Sequence, residues 1–121
     1  MKIYTSYFSA LRKLPETIVP ISICGRAPEK FYGIQYKILA PKYGFFQEWK
    51  QNHDNDAYIR EFYKQVLNPL SAKEIYRQLE NLSGGMDVVL VCYEKPGDFC
   101  HRHLVADWLS KELGIEVKEY T

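Results

Sequence analysis

Residues 87–93 (DVVLVCY) constrain the fold more than any other part of the chain, because they form a near-continuous apolar run. A strand that is apolar on both sides is typical of the interior of a parallel sheet, where both faces are covered. The run lies between two helical patterns, so strands and helices alternate along the chain. We therefore predict an α/β domain with a mostly parallel sheet, helices on both faces, and residues 87–93 as a central strand.

Other segments continue this alternation. Further strands are predicted at residues 2–8, 17–23, 35–39 and 116–120. Pro20 indicates an edge position or a bulge in the second of them. The predicted helices are a short one at 9–14, one near 45–51, one from Asp54 or Asn55 to about Leu67, one from the capping box at 71–74 (SAKE) to Gly84, and one from Asp98 to Gly114. The 121 residues contain no repeat or linker, which predicts a single domain over residues 1–121.

Composition narrows the class of protein. The formal net charge is +1, whereas a nucleic-acid binder that is basic over its whole surface has a larger excess of positive charge. No apolar run is long enough to cross a membrane, and residues 1–6 lack the apolar stretch of a signal peptide, so a cytoplasmic location is expected. In that reducing compartment Cys24, Cys92 and Cys100 are expected to be thiols, and their odd number argues against a closed disulfide framework. The sequence leaves the oligomeric state open.

Several side chains that can act in catalysis or ligand binding lie in residues 91–103 (VCYEKPGDFCHRH), which begin at the end of the central strand. If Asp98 caps the last helix, Cys100 and His101 occupy its first turn, where free backbone N–H groups bind anions. The positive end of the helix dipole also favours the thiolate form of Cys100, and the neighbouring Arg102 adds to this effect. We predict that this segment forms the working site.

The ends of the other strands are expected at the same edge of the sheet. Ligands of open parallel sheets bind outside the carboxyl ends of the strands, where Ser6, residues 24–26 (CGR) and Glu94 should lie. Gly25 permits an unusual turn, and Arg26 can give a phosphate or carboxylate two parallel hydrogen bonds. Glu94 is suited to act as a general acid or base, or to orient a histidine. The predicted catalytic residues are Cys100, Glu94 and His101, and the predicted ligands of an anionic small molecule, such as a nucleotide, are Arg102, Arg26, Gly25 and Ser6.

Two other interpretations of the cysteines and histidines stay open. Cys100, Leu104 and Trp108 are four residues apart, so Cys100 would equally pack under the helix as core. A metal site is the second alternative, since the chain offers five soft or borderline ligands: Cys24, Cys92, Cys100, His101 and His103. The chain has no CxxC pair and no His-x₃-His pair. The sequence therefore predicts no tightly bound structural metal and no cofactor.

Residues 24–50 offer a further alternative, a non-catalytic module that binds nucleic acid or protein. Five basic side chains stand against two acidic ones in this segment, with tyrosine, phenylalanine and tryptophan interleaved. Such a surface can stack bases and follow a phosphate backbone. The competing interpretation is that the aromatic side chains belong mostly to the core.

The run 89–94 (VLVCYE), followed after a gap by 99–106 (FCHRHLVA), resembles the bacterial and phage family called domain of unknown function 488, the YeaO-like proteins. Its signature is a hydrophobic strand, Cys-x-Glu, a gap, Cys-His-Arg and an apolar helix. Looser similarity extends to residues 3–5, 18–28, 39–41 and 58–67. Many members carry Asp-x-Arg after the second strand, whereas this chain has Cys24-Gly25-Arg26 and so lacks the acid. The resemblance implies a role for residues 100–102 and Glu94 without specifying a reaction.

Overall fold

Five strands form one sheet in the computed structural model, which describes residues 1–95 and 97–120. The strands are β1 (Ile3–Tyr7), β2 (Ile18–Ser22), β3 (Ile34–Gln35), β4 (Asp87–Cys92) and β5 (Val117–Glu119). Their order is β3-β2-β4-β1-β5, and every neighbouring pair is parallel. Residues 88–91 of β4 are fully buried. The predicted α/β class, the parallel sheet and the central position of the apolar run are therefore confirmed.

Four α-helices and three shorter helical segments connect the strands. The α-helices are α1 (Tyr43–Asn52), α2 (Asn55–Phe62), α3 (Ala72–Ser83) and α4 (His101–Leu113). The shorter segments are the 3₁₀ helices Phe8–Lys13 and Lys37–Leu39, and a π-helical extension of α2 over Tyr63–Leu67. The side chains of Asp54 and Ser71 accept backbone hydrogen bonds at the starts of α2 and α3, as their sequences predict. None of the helices in the described ranges is long and apolar enough to cross a membrane.

Helical segments lie on both faces of the sheet, but unequally. All four α-helices contribute to the main core, which covers the face carrying Ile3, Val88 and Leu90. The opposite face, which carries Val89 and Val91, is covered by the Phe8–Lys13 3₁₀ helix and its surroundings. The handedness of the connections explains this unequal covering. Crossovers between parallel strands are right-handed, so connections that run in opposite directions along a sheet cover opposite faces. Only the connections from β1 to β2 and from β2 to β3 run toward β3.

Three local expectations are corrected by the structure. The strand expected at 35–39 has only two residues, Ile34–Gln35, because β2 offers just Ile21 and Ser22 as partners. Because β3 and β4 flank it, β2 is an interior strand, yet Pro20 has no paired residue in β3, so its missing N–H removes no hydrogen bond of the sheet there. Asp98 does not cap α4: the helix begins at His101, since the backbone of the buried Cys100 remains extended (φ −151°, ψ 142°).

Candidate functional site

A cavity of about 730 Å³ opens at the carboxyl edge of the sheet, between the ends of β2 and β4. These strands are neighbours, and the chain leaves them in opposite directions along the sheet, toward β3 and toward β5. Such a switch point is where open parallel sheets bind ligands. We call this space the main cavity, and its lining comes from the loop after β2, from α1, from the end of β4 and from the start of α4.

The outer part of the main cavity carries positive charge and aromatic surface. Arg26 and Lys50 are both exposed and face the cavity from different walls, the loop after β2 and α1. Tyr43 is 78% exposed and Tyr93 is 50% exposed, which is unusual for rings of this size. The Tyr93 hydroxyl donates a 2.7 Å hydrogen bond to the carbonyl of Arg26. This bond ties the loop after β2 to the end of β4.

His101 forms the inner wall of the main cavity and is held in one orientation. Its Nε2 lies 2.7 Å from the carbonyl oxygen of Ile23. Because a carbonyl only accepts hydrogen bonds, Nε2 carries the proton, and Nδ1 keeps its lone pair 3.8 Å from Sγ of Cys100. Burial is the main reason that the pKa of His101 is lowered to about 4; the hydrogen bond to Ile23 opposes this shift only in part, and the positive charge of Arg102 adds to it. The imidazole is therefore neutral at pH 7.

Arg102 lies behind this wall and has no exposed surface. Its Nε and Nη2 donate to the two carboxylate oxygens of Glu119, at 3.1 and 2.7 Å. Its Nη1 donates to the carbonyl oxygen of Glu94 at 2.6 Å and contacts Sγ of Cys92 at 3.1 Å. The sequence predicts Arg102 as an anion ligand, but the structure uses its guanidinium inside the protein, where it joins α4, β4 and β5.

The cysteines differ from expectation. The sulfurs of Cys92 and Cys100 are joined in a disulfide, so the expectation of three thiols is wrong for these two residues. Cys24 is free and buried, and burial together with the negative charge of Glu94 raises its pKa to about 12. Cys100 is the N-cap residue of α4 rather than part of its first turn, and in the disulfide it has no thiolate to activate. It packs with Cys24, Cys92 and Phe8, not in the core that holds Trp108.

The structure brings only some of the predicted site residues together. Gly25, Arg26, Glu94 and His101 all line the main cavity, and Glu94 is half-buried there. Cys100 lines a second cavity of about 30 Å³, which shares Glu94 and His101 with the main one. Ser6 is buried under the sheet edge, where its hydroxyl donates to the carbonyl of Tyr120 at 2.7 Å.

Sequence reasoning missed the wall that α1 contributes. Tyr43, Phe46, Gln47 and Lys50 line the main cavity and follow the i, i+3, i+4, i+7 spacing of one helix face. That spacing is visible in the sequence, although it mixes apolar and polar residues and therefore does not look like a core-facing stripe. The charge and aromatic content of the segment indicate a nucleic-acid surface rather than a cavity wall.

One group of side chains in the described ranges has the composition and proximity of a metal site. The ligand atoms of Cys92, Cys100 and His101 lie within 4.8 Å of one another, and all three residues are buried. Cys24 and His103, which the sequence also offers as soft ligands, are not in this group.

The Glu119–Arg102 pair predicts a dependence of stability on pH. Burial raises the pKa of Glu119, but the hydrogen bonds from Arg102 and Thr5 and the charge of Arg102 lower it more, so the net shift is downward. A carboxyl with a depressed folded pKa stabilises the fold above its unfolded pKa of about 4.3 and loses that contribution as the pH falls through the folded pKa. In urea titrations from pH 7 to pH 2.5, Glu119→Gln should lose less stability below pH 4.3 than the unmodified chain. Parallel curves for the two proteins would contradict this assignment.

Comparison with known proteins gives one match. A family model described as the active DUF488-N3 subclade matches residues 9–113. This range includes every residue that lines the main cavity, while β1 and β5, with Glu119, lie outside it. No curated protein and no solved structure matches the chain.

Proposed function

This chain belongs to the DUF488 family, and from that premise we propose that it is an enzyme-like protein that binds an anionic small molecule in the main cavity. The matched subclade is described as active, which supports a working site in this chain. A cytoplasmic location is part of the proposal, and in that reducing compartment the Cys92–Cys100 disulfide would open to two thiols. The proposal keeps Arg26, Gly25, Glu94 and His101 at the site.

The observation that carries the proposal is the placement of Arg26 and Lys50 on different walls of one cavity at the switch point of the sheet. A volume of about 730 Å³ is in the usual range for small-molecule sites. Arginine gives a phosphate two hydrogen bonds in a fixed geometry, and lysine adds a compact positive charge. The lining has two basic residues, Arg26 and Lys50, and one acidic residue, Glu94. The outer cavity is therefore suited to a phosphate-bearing ligand.

Aromatic side chains make a nucleotide the best-fitting ligand class. Tyr43, Phe46 and Tyr93 line the same cavity as the two cations. Stacking of a base on an aromatic side chain contributes about 1–3 kcal/mol. A ligand with a base at one end and phosphate at the other would use both features.

Glu94 is the residue we propose for proton transfer. Glu94 lines both cavities, and its carbonyl oxygen accepts a 2.6 Å hydrogen bond from Arg102, which fixes the backbone that carries the side chain. His101 is less suited to accept a proton at Nε2, since that atom is already protonated and bonded to Ile23. Arg102 therefore becomes a positioning residue, and Cys100 can act as a nucleophile only after the disulfide is reduced.

Nucleotide binding tests this proposal. In isothermal titration calorimetry with AMP, ADP and inorganic phosphate, we expect the nucleotides to bind more tightly than phosphate. Arg26→Ala should raise the Kd for ADP by about tenfold to a hundredfold, the loss expected for a hydrogen bond to a charged group. Lys50→Ala should also weaken binding. The controls are Arg60→Ala and Lys64→Ala, which remove exposed cations from the α2 segment outside the main cavity.

The outcomes separate a built site from general charge attraction. Equal effects of Arg26→Ala and Arg60→Ala would mean that only diffuse attraction is present, and such binding would also disappear in high salt. Absence of any heat change with AMP, ADP and phosphate would contradict the nucleotide proposal.

Binding of single-stranded nucleic acid is a second candidate, favoured by one observation. The ring of Tyr32 is 92% exposed, and it lies in a segment whose Lys30, Lys37 and Lys42 are also exposed. An exposed ring among cations is the arrangement that stacks bases in single-strand binders. Fluorescence anisotropy with a labelled dT oligonucleotide tests it: binding lost in Tyr32→Ala but kept in Arg26→Ala would favour this candidate over the cavity ligand.

A further inference from the structure

We propose that Cys92, Cys100 and His101, in their reduced state, bind a thiophilic divalent cation such as Zn²⁺. Their ligand atoms lie within 4.8 Å of one another, at the junction of β4 and α4. Two thiolates and an imidazole form a ligand set that zinc accepts in catalytic sites. This site type differs from the structural four-ligand zinc that the cysteine spacing argues against. The proposal does not depend on anion binding in the main cavity.

The orientation of His101 is that of a metal ligand. Metal-binding histidines usually donate their second ring N–H to a backbone carbonyl or a carboxylate, which fixes the tautomer and aims the lone pair. Here Nε2 donates to the Ile23 carbonyl at 2.7 Å, and Nδ1 faces Sγ of Cys100 at 3.8 Å. The ring of Phe62 packs edge-on against His101, with centroids 5.7 Å apart, and limits its rotation.

The charges around the cluster balance when a dication is present. Two buried thiolates without a counter-ion would be costly, because each charge loses its hydration. A dication balances these two thiolates, while the fully buried Arg102 is already paired with Glu119. The Arg102 Nη1 lies 3.1 Å from Sγ of Cys92, and an N–H donor to a thiolate ligand is the kind of outer contact that tunes metal sites.

The proposed site has room for a fourth ligand. Cys92 and His101 both line the main cavity, so a bound ion would have one side open to water or to a cavity ligand. Three protein ligands and one open position are the arrangement of catalytic rather than structural zinc. Once the disulfide is reduced, the two sulfurs are free to separate, and the Cα atoms that carry them are 7.3 Å apart, wider than in most disulfides.

Loading requires reduction and then loss of protons. Two molecules of a small thiol, RSH, reduce the Cys92–Cys100 disulfide, which yields two cysteine thiols and one RSSR. When M²⁺ binds, the two thiols form two sulfur–metal bonds and release two protons to solvent. No further oxidant or reductant takes part.

Cobalt titration of the reduced full-length chain tests the site. We expect Co²⁺ to bind with one-to-one stoichiometry, to give the intense absorption of tetrahedral thiolate-bound cobalt, and to be displaced by Zn²⁺. Cys92→Ser, Cys100→Ser and His101→Gln should each weaken binding by more than about tenfold, the lower limit for loss of even an outer-shell partner. Cys24→Ser is the matched control, because Cys24 packs in the same cysteine cluster but is outside the ligand set. Thermal unfolding followed by circular dichroism checks that each variant is folded.

The cobalt spectrum and the metal binding of the variants test the proposal independently of the nucleotide titrations. Absence of the tetrahedral thiolate spectrum in the reduced unmodified chain would overturn it, as would full binding in Cys100→Ser or a loss confined to Cys24→Ser. Nucleotide titrations use metal-free protein, so failure of the metal site leaves those results unaffected and failure of nucleotide binding does not alter the cobalt spectrum.

Discussion

Replacing Arg102 with methionine is expected to lower the free energy of unfolding by about 3–5 kcal/mol, the usual cost of removing one partner from a buried ion pair. The substitution leaves the Glu119 carboxylate without its two guanidinium hydrogen bonds and the Glu94 carbonyl without a donor. The methionine side chain fills much of the same space, so the loss reports on charge and hydrogen bonding rather than on an empty cavity. Equilibrium urea unfolding measures it.

Two comparisons make the Arg102 result specific. Arg60→Met removes an arginine whose side chain is 69% exposed, and it should change stability by less than about 0.5 kcal/mol. Adding Glu119→Leu to Arg102→Met should recover part of the loss, because the second change removes the stranded carboxylate. A loss below about 1 kcal/mol in Arg102→Met would contradict the role assigned to this network.

Phe62→Ala is expected to lower the free energy of unfolding by about 3–5 kcal/mol, the range for truncating a buried phenylalanine. Phe62 is fully buried and packs against Phe45 and Tyr58, with ring centroids 6.4 and 6.0 Å apart. It also packs against His101, so the same change should loosen the inner wall of the main cavity. Urea unfolding measures the stability.

The control for Phe62 is an aromatic ring outside the core. Tyr32 is 92% exposed, and Tyr32→Ala should change stability by less than about 0.5 kcal/mol. If Phe62→Ala cost no more than Tyr32→Ala, the packing described for α2 would be contradicted.

Sequence patterns predict the parts of the fold that depend on local chemistry. The apolar run of β4 predicts a buried central strand because few environments other than a covered parallel sheet accept it. Ser71 predicts the start of α3 because its side chain satisfies a free backbone N–H, and Gly114 predicts the end of α4, where φ is +64°. Each of these signals lies within a few residues of the structure that it specifies.

Long-range pairing explains what the sequence did not predict. Arg102 meets Glu119 only because β5 pairs with β1 and brings Glu119 beside Thr5. Without that register, an arginine beside a cysteine and two histidines is better interpreted as a ligand-binding group. Ser6 is similar, since its hydroxyl finds the Tyr120 carbonyl across the same strand pair.

The start of α4 shows a competition between a local signal and packing. Asp98 is a favourable capping residue, but the buried cluster of Cys24, Cys92 and Cys100 keeps the backbone extended through Cys100. This shift of the helix start moves Cys100 out of the first turn and leaves His101 as the α4 residue that faces the main cavity.

The central claim is that the main cavity is an anion-binding site, and backbone chemical shifts test it residue by residue. ¹⁵N-labelled protein is titrated with ADP, and amide shifts are followed in assigned two-dimensional NMR spectra. We expect the largest changes in residues 24–26, 43–50 and 92–94, which border the cavity, and small changes in α3. Changes that are largest in α3, or spread evenly over exposed lysines and arginines, would contradict this claim.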